Sequence, residues 1–529
     1  MQFIGWMYDI AREQAPSEDR LREVLVRSKT AGYTAVGLYL EHRFAYPSAP
    51  WAAGPGCLTP DVVRRLRAEA VSTGLRVVPF LNTLGHMEGF IRSEGGQWLA
   101  EAPGGETLQT CPSRPECAEF AWNLVSDAMD AFDDEWVHLG GDETHQLGAC
   151  PRCAERARRI GKAGLYAEYL GRLCRKVLDR GARPCLWGDM LAQHPEALDS
   201  IPPRTLIFDW NYGGSPAETT RLFRARGFDV ICCPAVRSYD SGWCFLDETR
   251  RVIDAHAADA ERLGALGVWV CAWEFFGLSS FASVFPLILA AGRRLSRGGG
   301  GGGGEDWKAA ADAEGGPGYA RAADLLGGSI PSASPFLAPG TWRSLREGLV
   351  LRGNPFDLWR AWRAEAGGPA GDVILRACDE AEALLPEESP MRFPVEVHRV
   401  AVEWVRLVEG AYRRYASWDV EGCAASLAPG RALLGRLRPG LEGVAARGGS
   451  AIDLARLDRI LDVLDEVRAR LGHLPSGASR LPAFETLVDG AYLPGDQAAW
   501  GTRLAASPEA DDPPADSLPG ENRFTSESI

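Results

Sequence analysis

Across roughly the first three hundred residues, short apolar runs rich in β-branched and aromatic side chains alternate with longer amphipathic stretches. The candidate strands are Gln2–Tyr8, Thr34–Leu40, Arg76–Leu81, Trp136–Gly140, Pro184–Trp187, Thr205–Trp210, Asp229–Cys233 and Gly267–Trp273. Helical spacing fills the intervals near Glu18–Ala31, Pro60–Thr73, Glu116–Phe132, Leu165–Arg180, Ala217–Arg226, Thr249–Leu263 and Phe281–Leu295. The connection before Thr205 carries the weakest helical pattern. Strands that alternate with helices pair in parallel, because each crossover must return the chain to the same end of the sheet. Eight such units over this span predict a closed (β/α)8 barrel rather than an open doubly wound sheet. No Gly-x-Gly-x-x-Gly follows the first strand, which removes the usual signal for a dinucleotide.

A barrel of this kind places chemistry just past the C-terminal ends of its strands. Polar and aromatic residues collect at those positions. They are Asp9 and Arg12 after strand one, Glu41 and His42 after two, Asn82 and His86 after three, and Asp142, Glu143 and His145 after four. Trp187 and Asp189 follow strand five, Trp210, Asn211 and Tyr212 strand six, Tyr239 and Asp240 strand seven, and Trp273 and Glu274 strand eight. The richest segment is Trp136-Val137-His138-Leu139-Gly140-Gly141-Asp142-Glu143, an apolar strand running into two glycines and then two carboxylates. Glycines tolerate the backbone that turns such acids into the barrel mouth. Glycosidic cleavage needs a proton donor at the leaving oxygen and negative charge near the oxocarbenium-like centre. Neighbouring side chains on an extended segment diverge, so the two acids need not clamp opposite faces of a sugar. In the division of labour that fits, Glu143 donates the proton and Asp142 holds a substrate group that is itself the nucleophile. An isolated Asp-Glu pair is more often a helix cap; the barrel context reverses that preference.

The segment His138 to Glu143 resembles the His-x-Gly-Gly-Asp-Glu motif of glycoside hydrolase family 20, and the chain is most similar to its hexosaminidase D-like branch. Tyr39-Leu40-Glu41, the run Val78 to Glu88, Leu186-Trp187-Gly188-Asp189-Met190-Leu191 and Asp209-Trp210-Asn211-Tyr212 extend the resemblance over residues 1–295. It implies exo-acting, substrate-assisted, retaining hydrolysis of terminal β-linked N-acetylhexosamine, in which the 2-acetamido carbonyl attacks the anomeric carbon. By position it implies that Glu143 is the acid/base and Asp142 the residue orienting the acetamido group. Arg12 then clamps sugar hydroxyls, His86 supports the acid, and Trp187, Trp210 and Trp273 wall the pocket, with Asp189 among the substrate-binding positions. Tyr239 is a loose counterpart of the family's strand-seven tyrosine. Glu274 either binds distal hydroxyls or pairs with an arginine. Where the branch carries an acidic pair after strand two, this chain reads Glu41-His42, which makes Glu41 the expected support of His86.

Composition narrows the partners. A net charge of -14 argues against nucleic acid or an anionic membrane as a main partner. No apolar run approaches the roughly 20 residues of a membrane-spanning helix. The opening Met1-Gln2-Phe3-Ile4-Gly5-Trp6 does not read as a secretory leader. Thirteen cysteines scattered over 529 residues read as reduced thiols, and the expected location is the cytoplasm. Cys111, Cys117, Cys150 and Cys153 fall close enough in sequence to suggest a structural zinc, although free thiols are the simpler account. No cofactor is expected; a homodimer contact is plausible.

The expected layout is a catalytic barrel over 1–300, a flexible glycine-rich loop and connector over 301–370, a helical domain over 371–480, and a disordered tail over 481–529. Asp372–Leu385, Pro394–Tyr415 and Ile452–Leu471 carry the helical pattern, the last presenting Leu454, Leu457, Leu461, Leu464 and Leu471 on one face. Three functions stay open on these residues. They are the N-acetylhexosaminidase, a conventional retaining glycosidase using Glu143 and Glu274, and a non-catalytic sugar-binding barrel.

Overall fold

The computed structural model describes residues 2–11, 16–54, 56–102, 108–238, 245–273, 278, 280–298, 304–329, 349–350, 352–366, 368–447, 451–474 and 480–489. Eight strands close into a barrel in chain order: β1 (Phe3–Asp9), β2 (Ala35–Tyr39), β3 (Arg76–Phe80), β4 (Trp136–His138), β5 (Arg183–Trp187), β6 (Leu206–Trp210), β7 (Asp229–Cys233) and β8 (Gly267–Ala272). Every pairing is parallel, and Phe3 opposite Gly267 closes the ring. Helices Glu18–Thr30, Pro60–Ser72, Pro115–Phe132, Pro151–Asp179, Ala217–Ala225, Leu246–Leu263 and Phe281–Ser296 return the chain outside. Between β5 and β6 stand only the short Asp189–Gln193 and a 3-10 turn at Pro195–Ser200, where the helical pattern is weakest.

The barrel is filled rather than hollow. Met7, Val78, Phe80, Trp187, Phe208 and Trp269 meet in one buried cluster inside the strands. Rings this large fit because β1 and β2 carry glycine opposite them. A Cβ on Gly5 would lie 2.2 Å from Trp269, and one on Gly37 2.4 Å from Phe80. At the N-terminal end Arg76 lies 4.2 Å from the Trp136 ring centroid and pairs with Asp134, which closes the barrel floor.

Backbone strain gathers at the opposite end. Six non-glycine residues among those described have positive φ, and four of them follow barrel strands: Glu41 (39°), His86 (49°), Glu143 (48°) and Leu278 (57°). Such conformations cost energy and persist where the surroundings enforce them, most often at functional sites.

The segment after the barrel differs from the expected connector. Residues 299–303 of the glycine run lie outside the described residues, but Gly304–Gly315, Tyr319–Asp324 and Phe356–Ala366 are helical. The first two dock on the barrel: the Trp307 indole donates to Asp254, and the Tyr319 hydroxyl donates to Ser283 O at 2.7 Å. Burial of Trp307 and Tyr319 supplies the apolar gain that a glycine-weighted reading misses.

Beyond it, Pro369–Leu384, Arg392–Ala416 and Ile452–Gly472 form the core of a helical region. Leu457, Leu461, Leu464 and Leu471 of the last are buried as their spacing predicts, while Leu454 is half-buried. The start of the expected tail is also ordered. Phe484–Val488 forms a helix whose Phe484 ring packs 5.3 Å from Tyr415 and 5.5 Å from Trp359. Residues 490–529 lie outside the described residues. No helix among those described is long and apolar enough to cross a membrane.

Candidate active site

β4 ends on His138, whose ring is fully buried, stacks on Phe80 at 4.5 Å and meets Trp187 at a tilt at 4.4 Å. Burial holds this imidazole neutral, with its pKa well below the ordinary value. Its Nδ1 therefore accepts the Gly140 N–H, at 3.1 Å, and starts the turn. Gly140 and Gly141 have φ of 74° and 94°. A Cβ on Gly140 would meet Asn82 Oδ1 at 2.7 Å, and one on Gly141 would meet Leu170 at 2.7 Å. Both glycines are needed for conformation and for space. The loop after β3 crosses just as closely, since a Cβ on Gly85 would lie 2.4 Å from Asp142 O.

This turn delivers Asp142 and Glu143 to one histidine. His86 Nε2 lies 3.5 Å from Asp142 Oδ2 and 3.2 Å from Glu143 Oε2, while Nδ1 faces Glu88 Oε1 at 3.7 Å. Burial disfavours charge on the ring, but Asp142, Glu143 and Glu88 outweigh it and hold His86 protonated, well above its usual range. His86 is itself fixed from behind. The Asn82 amide donates to Tyr39 Oη at 2.5 Å and to His86 O at 3.1 Å.

Asp189, just past β5, braces the loop after β4. Its Oδ2 accepts the Glu143 N–H at 2.9 Å, and its Oδ1 accepts the Trp210 indole N–H at 3.4 Å. Burial, and next the neighbouring Asp142 carboxylate, lift Asp189 to about 7. The sequence reading set Asp189 among the substrate-binding positions; here it ties the loop after β4 to Trp210.

An aromatic frame runs on from there. Trp210 packs 5.0 Å from Tyr212, and the Trp273 indole donates to the Tyr212 hydroxyl at 2.8 Å. Trp273 in turn meets Tyr39 edge-on at 5.0 Å and Trp187 at 6.3 Å. Trp210, Tyr212 and Trp273 are only half-buried, so they present ring surface at the mouth. Trp187 is 1% exposed and lies beneath them as floor.

Of the residues singled out from the sequence, His86, Asp142, Glu143, Asp189, Trp187, Trp210 and Trp273 converge on this end of the barrel. Arg12, Tyr239 and Glu274 lie outside the described residues. Glu41 is buried in the strained turn Glu41–Arg43 after β2. The carboxylate facing the second nitrogen of His86 is Glu88, two positions along its own loop. His42 beside it is held neutral, at about 4, by burial and by Arg43. Glu88 and Tyr212 both lay inside recognised motifs, yet spacing alone gave neither a direction.

Residues 27–249 match the glycosyl hydrolase family 20 catalytic domain. The match leaves β1 and β8 outside, although the ring needs both. A probable beta-hexosaminidase of Arthroderma benhamiae is 25% identical over 221 residues, covering 36% of this chain and 34% of that protein. Hexosaminidase D of Bos taurus is 25% identical over 187 residues, covering 33% and 54%. The aligned part thus spans between a third and about half of these curated relatives' lengths. The crystal structure of a beta-N-acetylhexosaminidase from Bacteroides fragilis superimposes with a TM-score of 0.49 at 17% identity, over 58% of this chain and 69% of that one.

Proposed function

We infer from the match of residues 27–249 to the glycosyl hydrolase family 20 catalytic domain that this chain is an exo-acting enzyme of that family, which removes terminal β-linked N-acetylhexosamine. The observation carrying this reading is the pair Asp142 and Glu143, side by side on a protonated His86 beneath half-buried tryptophans. In the proposed reaction the proton shared between His86 Nε2 and Glu143 Oε2 moves to Glu143 when substrate binds, and Glu143 gives it to the glycosidic oxygen as that bond breaks. Asp142 accepts the N–H of the 2-acetamido group, whose carbonyl oxygen attacks the anomeric carbon and closes an oxazolinium ring. The Asp142 carboxylate offsets the positive charge that develops on the amide nitrogen. Glu143, now ionised, takes a proton from water, and the water opens the ring with net retention.

Supporting roles follow from contacts. His86, backed by Glu88, fixes both acids; Asp189 fixes the Glu143 backbone; Trp210 and Trp273 offer faces for the sugar and the acetamido methyl. Arg12, Tyr239 and Glu274 are assigned to the sugar hydroxyls and the acetamido oxygen on the resemblance alone. None of the twelve described cysteines is in a disulfide, which supports a reducing, cytoplasmic setting. The reading also includes a homodimer contact through the helical region, which sedimentation would detect.

The test is a panel of 4-nitrophenyl glycosides. N-acetyl-β-glucosaminide or N-acetyl-β-galactosaminide is turned over, and the matching 2-hydroxy glycosides are not. Comparable hydrolysis of the 2-hydroxy sugars, or turnover that survives Glu143→Gln undiminished, overturns the reading.

A further inference from the structure

We propose that Glu101, Cys111, Cys150 and Cys153 bind a structural zinc ion that ties the catalytic loop to the segment following β3. The sequence places two cysteines at the start of helix Pro151–Asp179, in Cys150-Pro151-Arg152-Cys153. Cys150 caps this helix, its Sγ accepting the Cys153 N–H at 3.3 Å, so both sulfurs are held on one side of the first turn. The other two ligands come from a short antiparallel bridge between Ala100 and Thr110. Glu101 N–H donates to Gln109 O at 2.9 Å and Cys111 N–H to Leu99 O at 3.1 Å, which holds both side chains toward the helix start.

The distances fit a tetrahedron. Zinc bound by thiolates at about 2.3 Å and a carboxylate at about 2.0 Å sets its ligand atoms about 3.5–3.8 Å apart. Cys111 Sγ lies 3.7 Å from Cys150 Sγ and 3.6 Å from Cys153 Sγ. Cys153 Sγ lies 3.3 Å from Glu101 Oε2. All four ligand atoms fall within 4.8 Å of one another. Three sulfurs cannot all pair as disulfides, whose S–S bond is about 2.05 Å.

Charge and burial point the same way. Glu101, Cys111 and Cys153 are 0% exposed and Cys150 7%. Among the described residues no arginine, lysine or histidine forms an ion pair with Glu101. A carboxylate buried among thiols without a cation is costly, and a divalent ion removes that cost. Three thiolates and one carboxylate favour zinc over magnesium or calcium, and four protein ligands leave no open position, as in a structural site. Binding releases the thiol protons to water. The excess negative charge is eased by the helix N-terminus and by Arg156, which donates to Ser113 Oγ at 3.1 Å, itself 3.0 Å from Cys153 Sγ.

Cys117, the fourth thiol suggested by the sequence, is excluded. Its Sγ faces Leu99 O at 3.8 Å and takes no part in the cluster. Glu101 takes its place. Glu143 and Cys150 bound one short loop, and Gln146 N–H reaches Gln109 Oε1 at 3.1 Å, so the ion would anchor the far end of the segment carrying the catalytic pair.

The test measures metal, not activity, so its outcome is independent of the proposed reaction. The full chain is expressed in zinc-supplemented medium and purified under reducing conditions without chelator. Elemental analysis is expected to find about one zinc per chain, reduced about tenfold or more in Cys150→Ser and Glu101→Gln and unchanged in Cys117→Ser. Should the first two variants fail to fold, wild-type protein stripped of metal and refilled with cobalt gives the second readout. Near-ultraviolet thiolate charge-transfer bands and strong visible bands of tetrahedral cobalt are expected. Metal-free wild type without those bands, a disulfide within the cluster, or metal loss in Cys117→Ser equal to that in Cys150→Ser overturns the proposal.

Discussion

Glu143 meets the rest of the site through two contacts: its carboxylate on His86 Nε2 and its N–H on Asp189. Replacing it with glutamine keeps the size and removes the transferable proton. We expect kcat to fall about 10²–10⁴-fold with KM little changed. The loss should be smaller for a 4-nitrophenyl leaving group than for an alkyl one, since a good leaving group needs less protonation. An equal loss for both would remove Glu143 from the acid role. His86 gives a second prediction. Asp142, Glu143 and Glu88 raise its pKa, so the ring carries its charge at neutral pH and loses it only well into the alkaline range. Nitrogen NMR of the ring should show an imidazolium at pH 7.5 in the wild type and a lower titration in Glu88→Gln. A neutral ring in both proteins would mean that burial outweighs the three carboxylates, contrary to this expectation. The placement of Asp142 and Glu143 at the barrel mouth was legible in the sequence, because two glycines before two acids at a strand end turn the chain there. Glu88 was not, since a carboxylate two residues from a histidine faces it only if the loop turns back, as the positive φ of His86 makes it do.

At the scale of elements, the loops after β3 and β4 form one unit, crossing where Gly85 touches Asp142 O. Gly85→Ala should cost about 1–3 kcal/mol of stability by overpacking. It should also lower kcat more than it raises KM, because the displaced atom belongs to the catalytic pair; thermal unfolding and steady-state kinetics read the two effects separately. β6 supplies a pH prediction. Asp209 is buried behind the strand, accepts the Thr219 and Thr220 hydroxyls at 2.9 and 2.5 Å, and is raised by burial to about 7. A carboxyl whose folded pKa exceeds its unfolded value contributes most below the unfolded value, near 4, and loses that contribution as pH rises toward 7. The stability of wild type relative to Asp209→Asn should therefore fall between about pH 4 and 7; a gap independent of pH in urea titrations would refute the assignment. Strands and barrel helices were legible because period and length agreed along the chain. The segment over 301–370 was not, because the glycine run over 298–304 suggested a loop, while Trp307 and Tyr319 bury enough ring surface to dock helices on the barrel.

For the whole molecule, the helical region reaches back to the segment that follows β8. Asp453, 8% exposed and paired with Arg456, accepts the Leu278 N–H at 3.0 Å and so holds the strained residue that follows β8. Asp453→Ala should raise KM severalfold with a smaller change in kcat, since it frees the backbone of Leu278, five positions beyond Trp273, and touches neither acid. An unchanged KM would limit that region to stability. The amphipathic spacing of Ile452–Gly472 announced a packed helix but gave no sign of where its first turn would lie. That contact depends on tertiary packing and has no local signal. The central claim is that the substrate's own amide is the nucleophile, with Glu143 as its acid and Asp142 as its guide. Its most direct test is a series of 4-nitrophenyl β-glucosaminides whose N-acetyl group carries zero to three fluorines. Each fluorine weakens the carbonyl oxygen as a nucleophile, so log kcat/KM should fall steadily along the series; a flat series would mean that a protein carboxylate attacks instead.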